Sequence, residues 1–219
     1  MTVLAAQLAP QRSTQYADLV GKLARPEVQL SPLGALLSAL EPVTLGGQPY
    51  LRLEMPAPPT PDQLAELGRL ATLHALFELQ PECDGTPGPW LRPLETGFAP
   101  AFPPDLLAAR RYRGKTNELL AQCMVNIARA ASRFAQQPWA DLRLLDPLAG
   151  GGTLLFAGLL MGAEVAGVEQ EVQDVRSTVT FLRQFAQEAG IACRVQEEKL
   201  RRLGHRWTLT LGKAPPRRC

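Results

Sequence analysis

Cysteine is scarce in this chain: of 219 residues only Cys83, Cys123, Cys193 and Cys219 are cysteines, and no C-x-x-C pair occurs. Such spacing argues against a disulfide framework or a zinc site and for isolated thiols in a reducing compartment. Histidine is rarer still, with His74 and His205 alone, so no Ser/His/Asp arrangement can be assembled from motif and no metal is expected. The amino-terminal stretch lacks the basic region of a secretory leader, and no apolar run approaches the roughly 20 residues that span a bilayer. These absences predict a cytoplasmic protein with no membrane partner. Nor does charge of one sign accumulate: the net charge is +2, which neither demands nor excludes a nucleic-acid partner.

What the chain does contain is a globular composition, 46% apolar and 20% charged, enough for one ordinary domain or two small ones. Seven of its 20 prolines fall between Pro81 and Pro104, with Gly85, Gly88 and Gly97 among them. That stretch can continue neither a helix nor a central strand and reads as a connector, which puts a domain boundary near residue 104. Before it, GQPYLRLEM alternates as a half-buried strand does. Thr60-Pro61-Asp62-Gln63 has the form of a helix start, with Thr60 capping, Pro61 at the first position and Gln63 closing a capping box. Leu64, Leu67, Leu70 and Ala71 supply that helix with an apolar stripe, and His74 is expected to pack on it. Residues 1–104 therefore read as a small α+β module, and 105–219 as a second domain.

In the second part, apolar residues from Leu119 to Ala131 recur at helical spacing behind a cap at Thr116. A short strand LRLLD, a glycine loop, a helix from Thr153 to Met161 and a second strand AEVAGVE follow. Val172, Val175, Val179, Leu182 and Ala186 then mark another amphipathic helix. Strand, helix, strand, helix is the signature of a parallel α/β sheet.

The loop Asp146-Pro147-Leu148-Ala149-Gly150-Gly151-Gly152-Thr153 carries the strongest signal. Its glycines permit a tight turn and leave the backbone open to a ligand. The N–H groups and dipole of the following helix favour an anionic group. At the end of the second strand stands Glu169, a carboxylate able to accept hydrogen bonds from both hydroxyls of a ribose. A glycine-rich turn followed by a strand-end glutamate also occurs in α/β proteins that bind nothing there. The dinucleotide pattern G-x-G-x-x-G fails, because Leu155 stands in its last position, and no lysine follows the glycines as a phosphate-binding P-loop requires.

DPLAGGGTLLFAGLLMGAEVAGVE closely resembles the D-P-x-x-G-x-G-T motif of S-adenosylmethionine-dependent nucleic-acid amino-methyltransferases. The likeness is greatest to bacterial relatives of tRNA guanine-N2 methyltransferases. RRYRGKTNELLAQCMVNIARAAS is similar to the lead-in helix of that group, and the resemblance covers roughly residues 110–190. It implies a partial Rossmann-like class I methyltransferase sheet behind the α+β module and S-adenosylmethionine as cofactor. It further implies that Asp146, Pro147, Gly150, Gly152 and Thr153 surround the methionine part and that Glu169 holds the ribose. The implied reaction is methyl transfer to an exocyclic amine of a nucleic-acid base, in RNA before DNA.

Enzymes of that group also carry a [DNS]-P-P-[YFW] tetrapeptide that orients the target amine. None of the pairs Pro58-Pro59, Pro103-Pro104 and Pro215-Pro216 has the required flanks, so no catalytic residue is assigned. A cofactor-binding but inactive relative, cut short within its sheet and prone to self-association through the open sheet edge, is one alternative. A different nucleotide-binding module is the other. Arg110, Arg111, Arg113 and Lys115 form one basic cluster and Lys199, Arg201, Arg202, His205 and Arg206 another. A solvated face explains each, although Arg111, Arg113 and Lys115 stand as weak candidates for nucleic-acid contact.

Overall fold

The structure, a computed structural model, describes residues 1–10, 18–112, 114–202 and 204–212. The chain divides into two compact units, one formed by residues 1–99 with 122–137 and the other by 100–121 with 138–219.

The first unit contains β1 (Thr2–Leu8), α1 (Leu19–Leu30), β2 (Ala39–Leu45), β3 (Gln48–Met55), α2 (Pro61–Gly68), β4 (Leu73–Cys83) and β5 (Thr86–Leu94). Its strands form one sheet in the order β2-β3-β1-β4-β5, and every neighbouring pair is antiparallel. Cross-strand rows explain the core. Leu40, Leu53 and Leu4 lie opposite one another, as do Leu51, Ala6 and Leu76, and alternation puts all six on one face. Ala24 and Val28 of α1 and Leu67 of α2 join the same core. Burial of each such leucine or valine contributes about 1.5–3 kcal/mol. Helix α2 begins as its sequence predicts, with Thr60 accepting from Gln63 N–H and Gln63 accepting from Thr60 N–H. It ends at Gly68, and His74 is exposed on β4 rather than packed on a helix.

The proline-rich stretch also differs from expectation. Its first part is β5, paired with β4 through a two-residue turn at Asp84-Gly85 and carrying Pro87, Pro89 and Pro93. The rule against proline holds for central strands; β5 is an edge strand, where a missing N–H breaks no second ladder.

The second unit contains α3 (Asp105–Ala108), the first turn of α4 (Glu118–Ala130), β6 (Arg143–Asp146), α5 (Thr153–Met161), β7 (Glu164–Gly167), α6 (Val172–Glu188), β8 (Cys193–Leu200) and β9 (Gly204–Leu211). Strands β6 and β7 are parallel, with Asp146 beside Gly167, and α5 connects them. Helix α5 is apolar all round and rests on the pair through Gly158, next to Leu144 and Val165. On the other face of the pair Leu145 is 66% exposed.

The expected partial Rossmann-like methyltransferase sheet is not what the chain builds. Its main sheet is five-stranded and entirely antiparallel, and parallel pairing stops at β6 and β7. Strands β8 and β9 form a separate antiparallel pair. The reason lies in the connections. A parallel step needs a crossover of about a dozen residues, whereas residues 201–203 alone join β8 to β9 and force a hairpin. Among the described residues no helix is long and apolar enough to cross a membrane.

Candidate functional site

Strand β6 delivers Asp146 to the start of the glycine loop. There Oδ1 accepts from the Leu148 N–H at 3.0 Å, a local turn that starts the reversal of the chain. Oδ2 is enclosed and has no hydrogen-bond partner among the described residues. Pro147 and Leu148 are exposed. The end of β7 is stitched to the loop by bonds from Val168 N–H to Asp146 O and from Ala149 N–H to Val168 O, each 2.9 Å. Gly150 and Gly152 have φ of +50° and +84°, in the left-handed region that side chains disfavour. The first bond of α5 runs from Phe156 N–H to Gly152 O. The N–H groups of Thr153, Leu154 and Leu155 therefore lie in the helix's first turn, where no intrahelical acceptor exists.

Glu169 meets this loop directly. One carboxylate oxygen accepts from Gly150 N–H at 2.7 Å and the other from Glu171 N–H at 2.8 Å. Backbone donors, Glu171 first, then Gly150 and Gln170, hold its carboxyl below the usual range, so it is anionic near neutrality. A carboxylate has about four acceptor positions, so acceptor capacity remains beyond what these backbone donors use. Asp146, Gly150, Gly152, Thr153 and Glu169 thus gather at one end of the β6–β7 pair, the end where parallel strands of α/β proteins receive ligands.

Four side chains with no place in the expected site complete it. Arg110 donates to Gly151 O, to Thr178 Oγ1 and to Ser177 Oγ, the latter two on α6. Tyr112 shares a hydrogen bond with Thr153 Oγ1. Arg110 belongs to the basic cluster expected to be a solvated face, and no local pattern marks its role in the loop or those of Tyr112, Ser177 and Thr178, because their partners lie 27 to 68 positions away.

The basic candidates are used differently. Lys115 donates to the carbonyls of Leu107 and Arg110, each at 2.8 Å, and pairs with Glu118 at 2.6 Å. Burial alone would raise the Glu118 carboxyl, but the Lys115 hydrogen bond, with its own backbone and the charges of Lys115 and Arg111, takes it below the usual range. Arg111 is exposed, and Arg113 lies outside the described residues. Asn117, not Thr116, caps α4, accepting from Leu120 N–H at 3.1 Å. On the β8–β9 hairpin, His205 Nδ1 lies 3.1 Å from a Glu197 carboxylate oxygen and Arg206 pairs with Glu198 at 3.7 Å, so two members of the second cluster face carboxylates across the strands. Among the described residues no group of three or more His, Cys, Asp or Glu side chains is placed to hold a metal.

No protein-family model matches the chain, and no curated protein matches its sequence.

Proposed function

We propose that the glycine loop and Glu169 bind S-adenosylmethionine, and that the chain belongs to the chemistry of methyl transfer to an exocyclic amine of an RNA base in the cytoplasm. The carrying observation is the direct contact of Glu169 with Gly150, which brings an anionic acceptor and an anion-favouring helix start to one place. The cofactor is a zwitterion with a diol, so it requires both features at once. On this reading the first-turn N–H groups of α5 and the Thr153 hydroxyl receive the methionine carboxylate, and the remaining acceptor capacity of Glu169 receives the ribose hydroxyls. Bound there, the sulfonium supplies an activated methyl group; the residues of this chain bind and orient it.

A second reading, a cofactor-binding protein without transferase activity, is favoured by one observation. No Pro-Pro pair of the sequence carries the flanking residues of the amine-orienting tetrapeptide.

Calorimetric titration of the full chain with S-adenosylmethionine tests the common part. The wild type should bind saturably, and Glu169→Ala should weaken binding by tenfold or more, because a hydrogen bond to a charged group contributes about 1.5–3 kcal/mol. A folded wild type that does not bind refutes the proposal. Incubation with methyl-labelled cofactor and bulk RNA then separates the readings: label in RNA establishes transfer, and binding without label supports the inactive form.

A further inference from the structure

We infer that Arg110 and Tyr112 are positioning residues of the glycine loop, fixing the Gly151 carbonyl and the Thr153 hydroxyl in the arrangement an anionic ligand group needs; this deepens the cofactor reading above and rests on it. The planar guanidinium of Arg110 reaches two elements at once. Nη1 donates to Gly151 O and, at 2.7 Å, to Thr178 Oγ1, while Nη2 donates to Ser177 Oγ. Thr178 Oγ1 itself lies 3.3 Å from the same Gly151 carbonyl. Loop and α6 are thereby tied by one side chain whose fork a lysine cannot reproduce. The guanidinium carbon stands 4.8 Å from the ring centre of Tyr112 and 5.9 Å from that of Phe181, so two aromatic rings hold the cation.

Tyr112 explains the middle glycine. A Cβ built on Gly151 would come within 2.3 Å of the Tyr112 ring, so this position is glycine to admit the tyrosine rather than to admit a ligand. From that seat the phenol reaches Thr153 Oγ1, the side chain at the first position of α5. An anion at a helix start requires donors facing it and carbonyls turned elsewhere. Arg110 and Thr178 engage the Gly151 carbonyl, and Tyr112 holds the Thr153 hydroxyl in one rotamer. Neither residue touches the ligand in this account; both act through loop atoms.

The test uses the full chain, with S-adenosylmethionine titration and amide hydrogen exchange of residues 148–155 without ligand. Tyr112→Phe removes one hydroxyl and should weaken binding about two- to tenfold, the effect of a single hydrogen bond, while the chain stays folded with an unfolding midpoint lowered by no more than a few degrees. Arg110→Lys keeps the charge, loses the fork, and should weaken binding at least tenfold while speeding exchange at Gly152 to Leu155. Wild-type affinity in Tyr112→Phe, or wild-type exchange in Arg110→Lys, overturns the inference. A folded wild type that binds no S-adenosylmethionine refutes the cofactor reading instead, and the exchange of Arg110→Lys then decides alone whether the pair fixes the loop.

Discussion

Glu27 shows how far a single residue can depart from its local pattern. It lies on α1 with 1% of its surface exposed, a charge within an otherwise apolar stripe. Its carboxylate accepts from the N–H groups of Ala71 and Thr72, from the Thr72 hydroxyl and from the Asn126 amide. Those partners are 44 to 99 positions distant, so nothing near residue 27 announces them. Cys123 sits beside this carboxylate. Burial first, then the charge and hydrogen bond of Glu27, push its thiol from 9.0 to about 12. The expected outcome is that iodoacetamide at pH 8 labels exposed Cys83 and leaves Cys123 unmodified in the folded chain, read by peptide mass spectrometry. Labelling of both at equal rates would contradict the burial. The sign for stability follows from the raised pKa: the contribution of Cys123 is complete below pH 9.0 and is lost as pH rises toward about 12. The same contrast of near and far governs the candidate site. Asp146, the glycines, Thr153 and Glu169 were legible because turn, helix start and strand end are local signals. Arg110 was legible only as one member of a basic cluster, and the role of Tyr112 not at all, since both roles are made by residues of the glycine loop, α5 and α6.

Elements were legible where periodicity was strong. Helices α2, α5 and α6 and strands β3, β6 and β7 stand close to where alternation or helical spacing put them, and the capping box at Thr60 formed in full. Strand partners were the illegible part, because periodicity states which face is buried and says nothing of the neighbour. Two tight turns are the exception, for they do name a partner. Asp84-Gly85 and Gly46-Gly47, each a two-residue turn with both φ positive, are hairpin signatures that fix β4–β5 and β2–β3 as antiparallel. The β6-α5-β7 element depends on a third short-range feature, the missing side chain of Gly158. A Cβ there would approach Leu144 Cδ1 to 2.7 Å and Val165 Cγ1 to 2.9 Å. Alanine gains up to about 1 kcal/mol of helix propensity against that contact. Valine adds two more carbons and loses most of the propensity gain. Gly158→Val should therefore cost about 1–3 kcal/mol and lower the thermal midpoint by several degrees, measured by calorimetry. An unchanged midpoint would show that α5 does not press on the pair.

At the scale of the whole molecule the chain is interleaved, for residues 122–137 belong with the first unit although 100–121 belong with the second. The prolines placed a boundary near residue 104, and the chemistry of the first unit supplies a test of where it is self-sufficient. Residues 122–137 bring two groups that buried acids use: Asn126 Nδ2, 2.8 Å from Glu27, and Arg129, which pairs with Glu66 where both side chains are at most 14% exposed. A fragment of residues 1–104 keeps Glu27 and Glu66 and lacks both donors. Each lost hydrogen bond to a buried charge costs about 1.5–3 kcal/mol, and together they take a large share of the 5–15 kcal/mol that stabilises an ordinary domain. A fragment of residues 1–137 should accordingly unfold in urea with a cooperative transition, while 1–104 should show none or a midpoint far lower. Asn126→Leu in the full chain separates chemistry from chain length: it retains the helix, removes the donor, and should destabilise the chain by roughly one such bond. Equal midpoints for the two fragments would mean that the five-stranded sheet with α1 and α2 is complete in itself and that the buried carboxylates find other partners.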